Sequence, residues 1–215
     1  MKSDETFRFT DRDHAVLLQR ENASRVACVD DPDFKPHLLC GMDVSYDGDS
    51  AYAAAVVWDI EHQVFVEKVV KKDKASVKYM PGLLGFREGP ILIRTSRLLR
   101  TIPDVFLVDG QGLAHPRRFG MACQFGLAIE KPTVGVAKSL LYGKAKDEMI
   151  VDTAGDRVGT IITSVRGKRF YVSVGHRISL ETASRLVSDC MIDGHPVPLR
   201  QAHFDSELSR RSKLL

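Results

Sequence analysis

The sequence predicts one α/β domain over residues 1–215, built on a mixed β-sheet flanked by helices. Two observations predict this fold class. Short apolar runs rich in β-branched residues alternate with longer segments whose apolar residues recur at helical spacing. Hydrophobic residues make up 44% of the chain, which is enough to bury one core, and no repeat or linker-like stretch divides it.

The first predicted element is a helix that runs from Thr10, a residue suited to capping its amino end, to about Val29. Asp30, Asp31 and Pro32 end this helix. Three strand-like runs follow, at 38–46, 51–60 and 63–70. Because the turns between them are only a few residues long, they predict an antiparallel meander.

Helices and strands then alternate along the chain. The predicted elements are a helix at 91–100, a strand at 105–110, a helix at 118–129, a strand at 132–137, two strands between 157 and 174, and a helix at 180–190. Three antiparallel strands, followed by parallel strands joined through helices, are the order of a ribonuclease H-like sheet. We therefore expect that architecture.

Charge and cysteine content narrow the class of protein. The net charge of +3 permits nucleic-acid binding without indicating it, and the basic clusters at 68–74, 94–100 and 117–118 are interpreted as solvated faces. The four cysteines lie far apart, which favours buried reduced thiols over a zinc site or a disulfide framework. No apolar run suits a transmembrane helix or a signal peptide, which predicts a cytoplasmic protein without a membrane partner.

Three acidic residues lie where such a sheet would gather them. Asp43 follows an apolar run at the end of the first strand, Asp109 closes the strand VFLVDG, and Glu88 stands just before a helix. The carboxyl ends of strands in an α/β sheet meet at a ligand-binding crevice. Carboxylates crowded there repel one another unless a cation holds them, and hard oxygen ligands suit Mg²⁺ or Mn²⁺. Taken singly, each aspartate is explained as well by a turn.

Other catalytic motifs fit less well. The segment 109–115 follows a strand and contains Gly-x-Gly, but His115 occupies the position of the third glycine, and no pairing acid is suitably placed downstream. The chain contains no P-loop, no G-x-S-x-G elbow and no H-E-x-x-H motif. Hydride transfer and serine hydrolysis are therefore disfavoured.

Five sequence blocks resemble, in order, the signature blocks of the endonuclease V family. They are GMDVSY at 41–46, YMPGLLGFREGP at 79–90, VDGQGLAHPRRFG at 108–120, GVAKSLL at 135–141 and PLRQAH at 198–203. Five blocks in order are far more specific than any one acidic pair. The resemblance implies a ribonuclease H-like fold and a metal-dependent endonuclease that recognises deaminated adenine, as inosine or deoxyinosine.

The resemblance also implies the roles of individual residues. By motif position, Asp43 and Asp109 bind Mg²⁺ directly, with Mn²⁺ able to substitute, and Glu88 completes the cluster directly or through water. Lys138 is expected near the scissile phosphate and His203 near the metal-bound water. The implied reaction is hydrolysis of the second phosphodiester bond 3′ to the inosine, which initiates DNA repair and leaves a 5′-phosphate and a 3′-hydroxyl.

A base pocket and a wedge are implied in the same way. The pocket senses the deaminated base with backbone groups, and the wedge fills the gap that the base leaves in the stack. The wedge is Tyr79, and the other expected substrate-binding residues are Pro81, Gly82, Leu84, Gly110, His115 and Leu141. Two roles are open for His115, which either contacts phosphate or braces the loop.

Lys78, Met80 and Gln111 depart from the commonest family pattern. These departures leave the preference between DNA and RNA open. DNA containing deoxyinosine is the expected partner, and RNA containing inosine is the alternative. A nuclease for branched structures and a non-catalytic nucleic-acid-binding module of the same fold also stay open. We expect a monomer, with residues 206–215 as a basic tail that either contacts phosphate or is flexible.

Overall fold

A computed structural model describes residues 5–75 and 77–212. Its strands are β1 (Leu38–Asp47), β2 (Ser50–Asp59), β3 (Val64–Lys74), β4 (Val105–Val108), β5 (Thr133–Ala137), β6 (Lys144–Lys146), β7 (Met149–Val151), β8 (Arg157–Thr163), β9 (Arg169–His176), β10 (Met191–Ile192) and β11 (His195–Pro196). Its α-helices are α1 (Arg12–Ala23), α2 (Leu84–Ser96), α3 (Met121–Ile129), α4 (Leu180–Asp189) and α5 (Val197–Ser212), and a short 3₁₀-helix (Glu5–Phe7) precedes them.

Nine of the strands form one mixed sheet in the order β3-β2-β1-β4-β5-β9-β8-β7-β6. The first three strands are antiparallel, and β4 and β5 continue the sheet in parallel from β1. The remaining strands return antiparallel from β5. The predicted mixed sheet flanked by helices is therefore confirmed, while kinship with ribonuclease H stays a prediction.

Successive residues of a strand point to opposite faces of the sheet, so the apolar side chains of the strands pack into a hydrophobic cluster on each face. On one face, Met42 and Val108 pack with α2 and α3 through residues such as Ile91 and Phe125. On the other face, Leu39, Leu107 and Val136 pack with α4 and the first turn of α5, including Leu186 and Leu199. The sheet is thus covered on both sides around β1, which contains Asp43, and β4, which Asp109 follows.

Helix α2 begins at Leu84 and so starts earlier than the predicted boundary at residue 91, with Pro90 inside the helix. Tertiary packing overrides the poor helix propensity of this segment. A Cβ atom on Gly89 would lie 1.9 Å from Cε1 of Phe7, so only glycine lets the helix approach that ring. Glu88 consequently lies within the helix and not before it.

Other boundaries also differ from the prediction. Helix α1 ends at Ala23, well before residue 29, and α3 begins at Met121 and not at residue 118. Strands β6 and β7 and helix α5 were not predicted. Residues 206–212, expected in a tail, form the last turns of α5, and Ser206 is buried there. Residues 213–215 lie outside the described part of the chain.

Three of the four cysteines, Cys40, Cys123 and Cys190, are buried thiols as predicted, whereas Cys28 is exposed. Within the described ranges, no helix has both the length and the apolar character needed to cross a bilayer.

Candidate active site

Two aspartates are brought side by side by the parallel pairing of β1 and β4. The paired residues end with Met42 opposite Val108, and the Asp109 backbone N–H donates to the Met42 carbonyl at 3.2 Å. The next residues on the two strands are Asp43 and Asp109. Strand β1 continues to Asp47, so Asp43 lies inside its strand and not at the predicted end, although it is level with the end of β4.

Helix α2 adds a third carboxylate. Glu88 is buried, and its pKa is raised to about 8 by burial and by the nearby charges of Asp43 and Asp109. Burial, followed by the charge of Asp109, also raises the pKa of Asp43. The three predicted acidic residues are therefore close enough to oppose one another's ionisation, which is the behaviour of a cluster short of positive charge.

Two basic groups contact this cluster. The Lys138 Nζ atom, just after β5, donates to Asp109 Oδ2 at 2.5 Å. Burial alone would lower the pKa of Lys138, but Asp109 outweighs it and the pKa is raised. From α5, His203 Nδ1 lies 2.8 Å from Asp43 Oδ2. If Nδ1–H donates in this contact, the lone pair of the ring is left on Nε2.

The donor set fits a hard divalent cation. Within residues 5–75 and 77–212, no three His, Cys, Asp or Glu side chains form a ready-made metal centre. The Lys138 ammonium contacts an oxygen of Asp109, as a metal cation would. Two further carboxyl groups, those of Asp43 and Glu88, have raised pKa values. Mutually repelling oxygen donors of this kind suit Mg²⁺ or Mn²⁺.

A cavity of about 250 Å³, hereafter the first cavity, opens directly beside the acidic cluster. Asp109 and Lys138 line it. All of the predicted substrate-binding residues except Pro81 line it as well: Tyr79, Gly82, Leu84, Gly110, His115 and Leu141. Tyr79 is 63% exposed and stands at the rim, whereas Pro81 is exposed in the turn that precedes α2.

The Gly82 carbonyl is held by three side-chain donors. Gln19 Nε2 lies at 3.1 Å, His115 Nε2 at 3.0 Å and Arg117 Nη2 at 2.7 Å from this oxygen. Gly82 has φ +75°, in the left-handed region that favours glycine, and a Cβ atom there would lie 2.9 Å from Arg117 Nη2. The loop that carries Tyr79 is therefore anchored beside the first cavity.

This geometry favours one of the two predicted roles of His115. The side chain is buried, and burial together with the charge of Arg117 lowers its pKa to about 4. Its Nδ1 accepts from the Arg117 backbone N–H at 3.2 Å, and so Nε2 carries the proton that is donated to Gly82. A buried imidazole with both nitrogens engaged in hydrogen bonds suits the bracing role better than contact with a phosphate.

Sequence reasoning missed two residues of this anchor. Arg117 was treated as part of a solvated basic face, although it lies within the block at 108–120. It donates from Nε to Gln19 Oε1 at 2.6 Å. Gln19 lies on α1, 63 positions before Gly82, and no local signal in the sequence could have linked them.

Comparisons with known proteins point in one direction. The family profile described as Endonuclease V matches residues 20–204. The chain is 36% identical over 212 residues to the Endonuclease V of Protochlamydia amoebophila, covering 92% of this chain and 89% of the relative. The structure of Endonuclease V from Streptomyces avermitilis is similar, with a TM-score of 0.88, 31% identity and coverage of 96% of both chains.

A further structural relative was solved with nucleic acid. Endonuclease V from Ciona intestinalis, in complex with a 24mer DNA containing an inosine followed by a ribo-adenosine, matches with a TM-score of 0.86 and 28% identity. The match covers 93% of this chain and 98% of that one.

Proposed function

Because this chain belongs to the endonuclease V family, we propose that it is a Mg²⁺-dependent endonuclease that hydrolyses the second phosphodiester bond 3′ to a deoxyinosine in DNA. The observation that carries this proposal is the position of the first cavity against the acidic cluster. Asp109 belongs to both, and Lys138, which contacts Asp109, also lines the cavity, so a base held there brings the strand beside it to the carboxylates.

The cavity is suited to a deaminated purine. Deamination replaces the amino donor at C6 with a carbonyl acceptor. Helix α2 begins at Leu84 without a side-chain cap, and the first N–H groups of a helix lack partners within it. We assign the N–H groups at the amino end of α2 as the donors to the new carbonyl. Adenine has an amino group at C6 and could not accept this hydrogen bond there. Tyr79 at the rim then stacks in the place of the flipped base.

The acidic residues Asp43, Asp109 and Glu88 would hold the cation, with Mn²⁺ able to replace Mg²⁺. A bound divalent cation supplies polarisation of the phosphoryl oxygen, a lower pKa for the attacking water and stabilisation of the leaving oxygen. In the protein without metal, Lys138 neutralises part of the charge of Asp109. Near the scissile phosphate, the same ammonium balances the negative charge that builds on phosphorus in the transition state.

His203 accepts the proton of the attacking water. Its contact with Asp43 orients the ring and leaves Nε2 as the acceptor when Nδ1 is the donor. As the water oxygen bonds to phosphorus and the bond to O3′ breaks, the products carry a 5′-phosphate and a 3′-hydroxyl. The cut would initiate the repair of deaminated DNA.

A cleavage assay tests the proposal. End-labelled DNA strands that contain one deoxyinosine, or adenine at the same position, are incubated with Mg²⁺, with Mn²⁺ or with EDTA, beside matching RNA strands. We expect one cut at the second bond 3′ to deoxyinosine, none in the adenine strand and none with EDTA. Binding without cleavage would indicate a recognition module, and a cut confined to RNA would identify an inosine-specific ribonuclease.

Asp43→Asn and Asp109→Asn should each reduce cleavage at least about a thousandfold while the protein stays folded, since each removes a metal-binding charge. Single-turnover rates with Mg²⁺ measure the effect, and circular dichroism checks the fold. Asp147→Asn, an exposed residue before β7, is the matched control and should be unaffected. Near-normal cleavage by either active-site variant would contradict the assignment.

The monomeric state and the cytoplasmic location stay predictions from the sequence.

A further inference from the structure

A second cavity, of about 450 Å³, shares part of its wall with the first cavity. Asp109 and Lys138 line it as they line the first cavity. His203, which contacts Asp43, also belongs to its wall. The Asp109 carboxylate and the Lys138 ammonium are therefore common to both cavities, so a strand that crosses these two residues from the first cavity passes into the second.

The charged groups of the second cavity are mainly basic. Lys168 and Arg200 line it together with Lys138, and Lys168 Nζ lies 3.1 Å from His195 Nε2. Burial lowers the pKa of His195, and so do the charges of Lys168 and Arg200 that converge on it. Positive groups held this close together favour an anionic ligand such as a phosphodiester.

The rest of the wall is apolar and includes an aromatic ring open to solvent. Phe204 is 50% exposed, and the Arg200 guanidinium lies 5.4 Å from its ring centroid. Phe170 and Leu199 form the deeper surface. A basic groove that also presents an aromatic face is the combination with which proteins hold single-stranded nucleic acid by base stacking.

We propose that the second cavity binds the nucleotide immediately 3′ of the cleaved bond, with its base on Phe204 and its flanking phosphates near Lys168 and His195. This inference rests on the proposed function, because the direction along the strand follows from a cut on the 3′ side of the base in the first cavity. It makes Phe204 and Lys168 substrate-binding residues for the part of the strand that leaves with the 5′-phosphate.

A kinetic experiment isolates the base contact. Deoxyinosine strands are prepared with a normal nucleotide or an abasic sugar immediately 3′ of the cleaved bond, and with an abasic sugar three nucleotides further on. We expect the near abasic site to lower kcat/KM about tenfold and the distant one to have little effect, because stacking on Phe204 is lost only in the first. In Phe204→Ala the near abasic site should lower kcat/KM less than about twofold. In Phe204→Trp the near abasic site should again lower kcat/KM about as much as in the wild-type protein.

Phe65→Ala is the matched control. Phe65 is an exposed ring on edge strand β3 with the Lys68 ammonium 4.2 Å from its centroid, far along the sheet from β5 and β9. This variant should keep the wild-type penalty for the near abasic site. Equal cleavage of all three strands by the wild-type protein would overturn the inference while leaving the proposed function intact. No cleavage of any deoxyinosine strand would instead overturn the proposed function.

Binding without catalysis tests the basic part of the cavity. A single-stranded tetranucleotide with a 5′-phosphate, the proposed product, is titrated into the protein in EDTA while the His195 ring resonances are followed by NMR. We expect the pKa of His195 to rise on binding, because a phosphate offsets the positive charges that lower it. Lys168→Gln should weaken binding several-fold. An unchanged His195 pKa at saturating tetranucleotide would contradict the placement of the phosphate.

Discussion

At the scale of single residues, the hydrogen bonds to the Gly82 carbonyl show how the loop that carries Tyr79 is held in place. Three donors from separate parts of the chain, Gln19, His115 and Arg117, converge on this one oxygen. Because hydrogen bonds from buried groups are costly to leave unmade, the loop has little freedom to move away from the first cavity. The cavity is therefore largely formed before a base enters it.

His115 makes this anchor sensitive to pH. Its folded-state pKa, about 4, lies below the value of 6.5 for an unperturbed histidine. Between these values the unfolded chain binds a proton that the folded protein does not, so stability falls as the pH drops through 6.5 and the loss levels off below pH 4. The glutamine of His115→Gln cannot be protonated. Between pH 7 and 5 the free energy of unfolding of this variant should therefore fall by about 2 kcal/mol less than that of the wild-type protein.

Urea unfolding at a series of pH values measures this difference. His37→Gln, at an exposed histidine before β1, is the control and should follow the wild-type curve. Parallel curves for wild type and His115→Gln would show that folding does not lower the pKa of His115.

Tyr79 carries a separate prediction, since it is exposed at the rim and leaves the interior packing undisturbed. Tyr79→Ala should reduce the preference for deoxyinosine over adenine about tenfold by removing the stacking surface. Tyr79→Phe keeps the ring and should retain the preference. Cleavage rates on paired strands measure both, and unchanged discrimination by Tyr79→Ala would remove the wedge from the mechanism.

At the scale of elements, the placement of α5 against β1 depends on backbone contact. A Cβ atom on Gly41 would lie 2.2 Å from the carbonyl carbon of Pro198 and 2.5 Å from the backbone N of Leu199. Backbone cannot move aside as a flexible side chain can. Glycine at position 41 is therefore what allows α5 to pack closely and bring His203 to Asp43.

Gly41→Ala should destabilise the protein by about 3 kcal/mol through overpacking, and should lower cleavage by the folded protein because His203 is displaced. Denaturation and single-turnover rates measure the two effects. Gly48→Ala is the control, because a Cβ atom there has nothing within 4 Å. Alanine at the φ of +57° found at this position should lower the free energy of unfolding by about 1 to 2 kcal/mol without disturbing α5. A loss of stability no larger than that of Gly48→Ala would contradict the contact.

At the scale of the whole molecule, the proposed active site joins segments that are distant in sequence. Asp43 and Asp109 come from neighbouring strands, Glu88 from a helix on one face of the sheet, and His203 from a helix on the other. Folding buries Glu88 and brings these carboxylates together against their mutual repulsion, and both effects raise the pKa of Glu88. A cation that binds only the folded protein should therefore stabilise it.

Added Mg²⁺ should raise the melting temperature of the wild-type protein, with a stabilisation of about 2.7 kcal/mol at a hundred times the Kd. Asp43→Asn should show little increase, because it lacks one of the charges that we propose bind the cation. Calorimetry with and without MgCl₂, against NaCl of equal ionic strength, measures this. An equal increase for both proteins would place the stabilising cation elsewhere.

The sequence by itself determined strands β1 to β5, β8 and β9 of the sheet and the residues proposed to carry the chemistry. Strand β4 is a fully buried apolar run, and Asp109 follows it at once, so a local pattern predicts both the strand and the carboxylate at its end. The motif blocks likewise identify Asp43, Glu88, Lys138 and His203, since each lies within a short run of characteristic residues.

Only the tertiary structure decided what these residues touch. Gly89 and Pro90 predict a late helix start, whereas α2 begins at Leu84 and packs Gly89 against Phe7. The partners of the Gly82 carbonyl and the bridge between Asp43 and α5 join residues far apart in the chain. Such contacts have no local signature, because their free energy comes from burial and hydrogen bonding that exist only once the sheet is assembled.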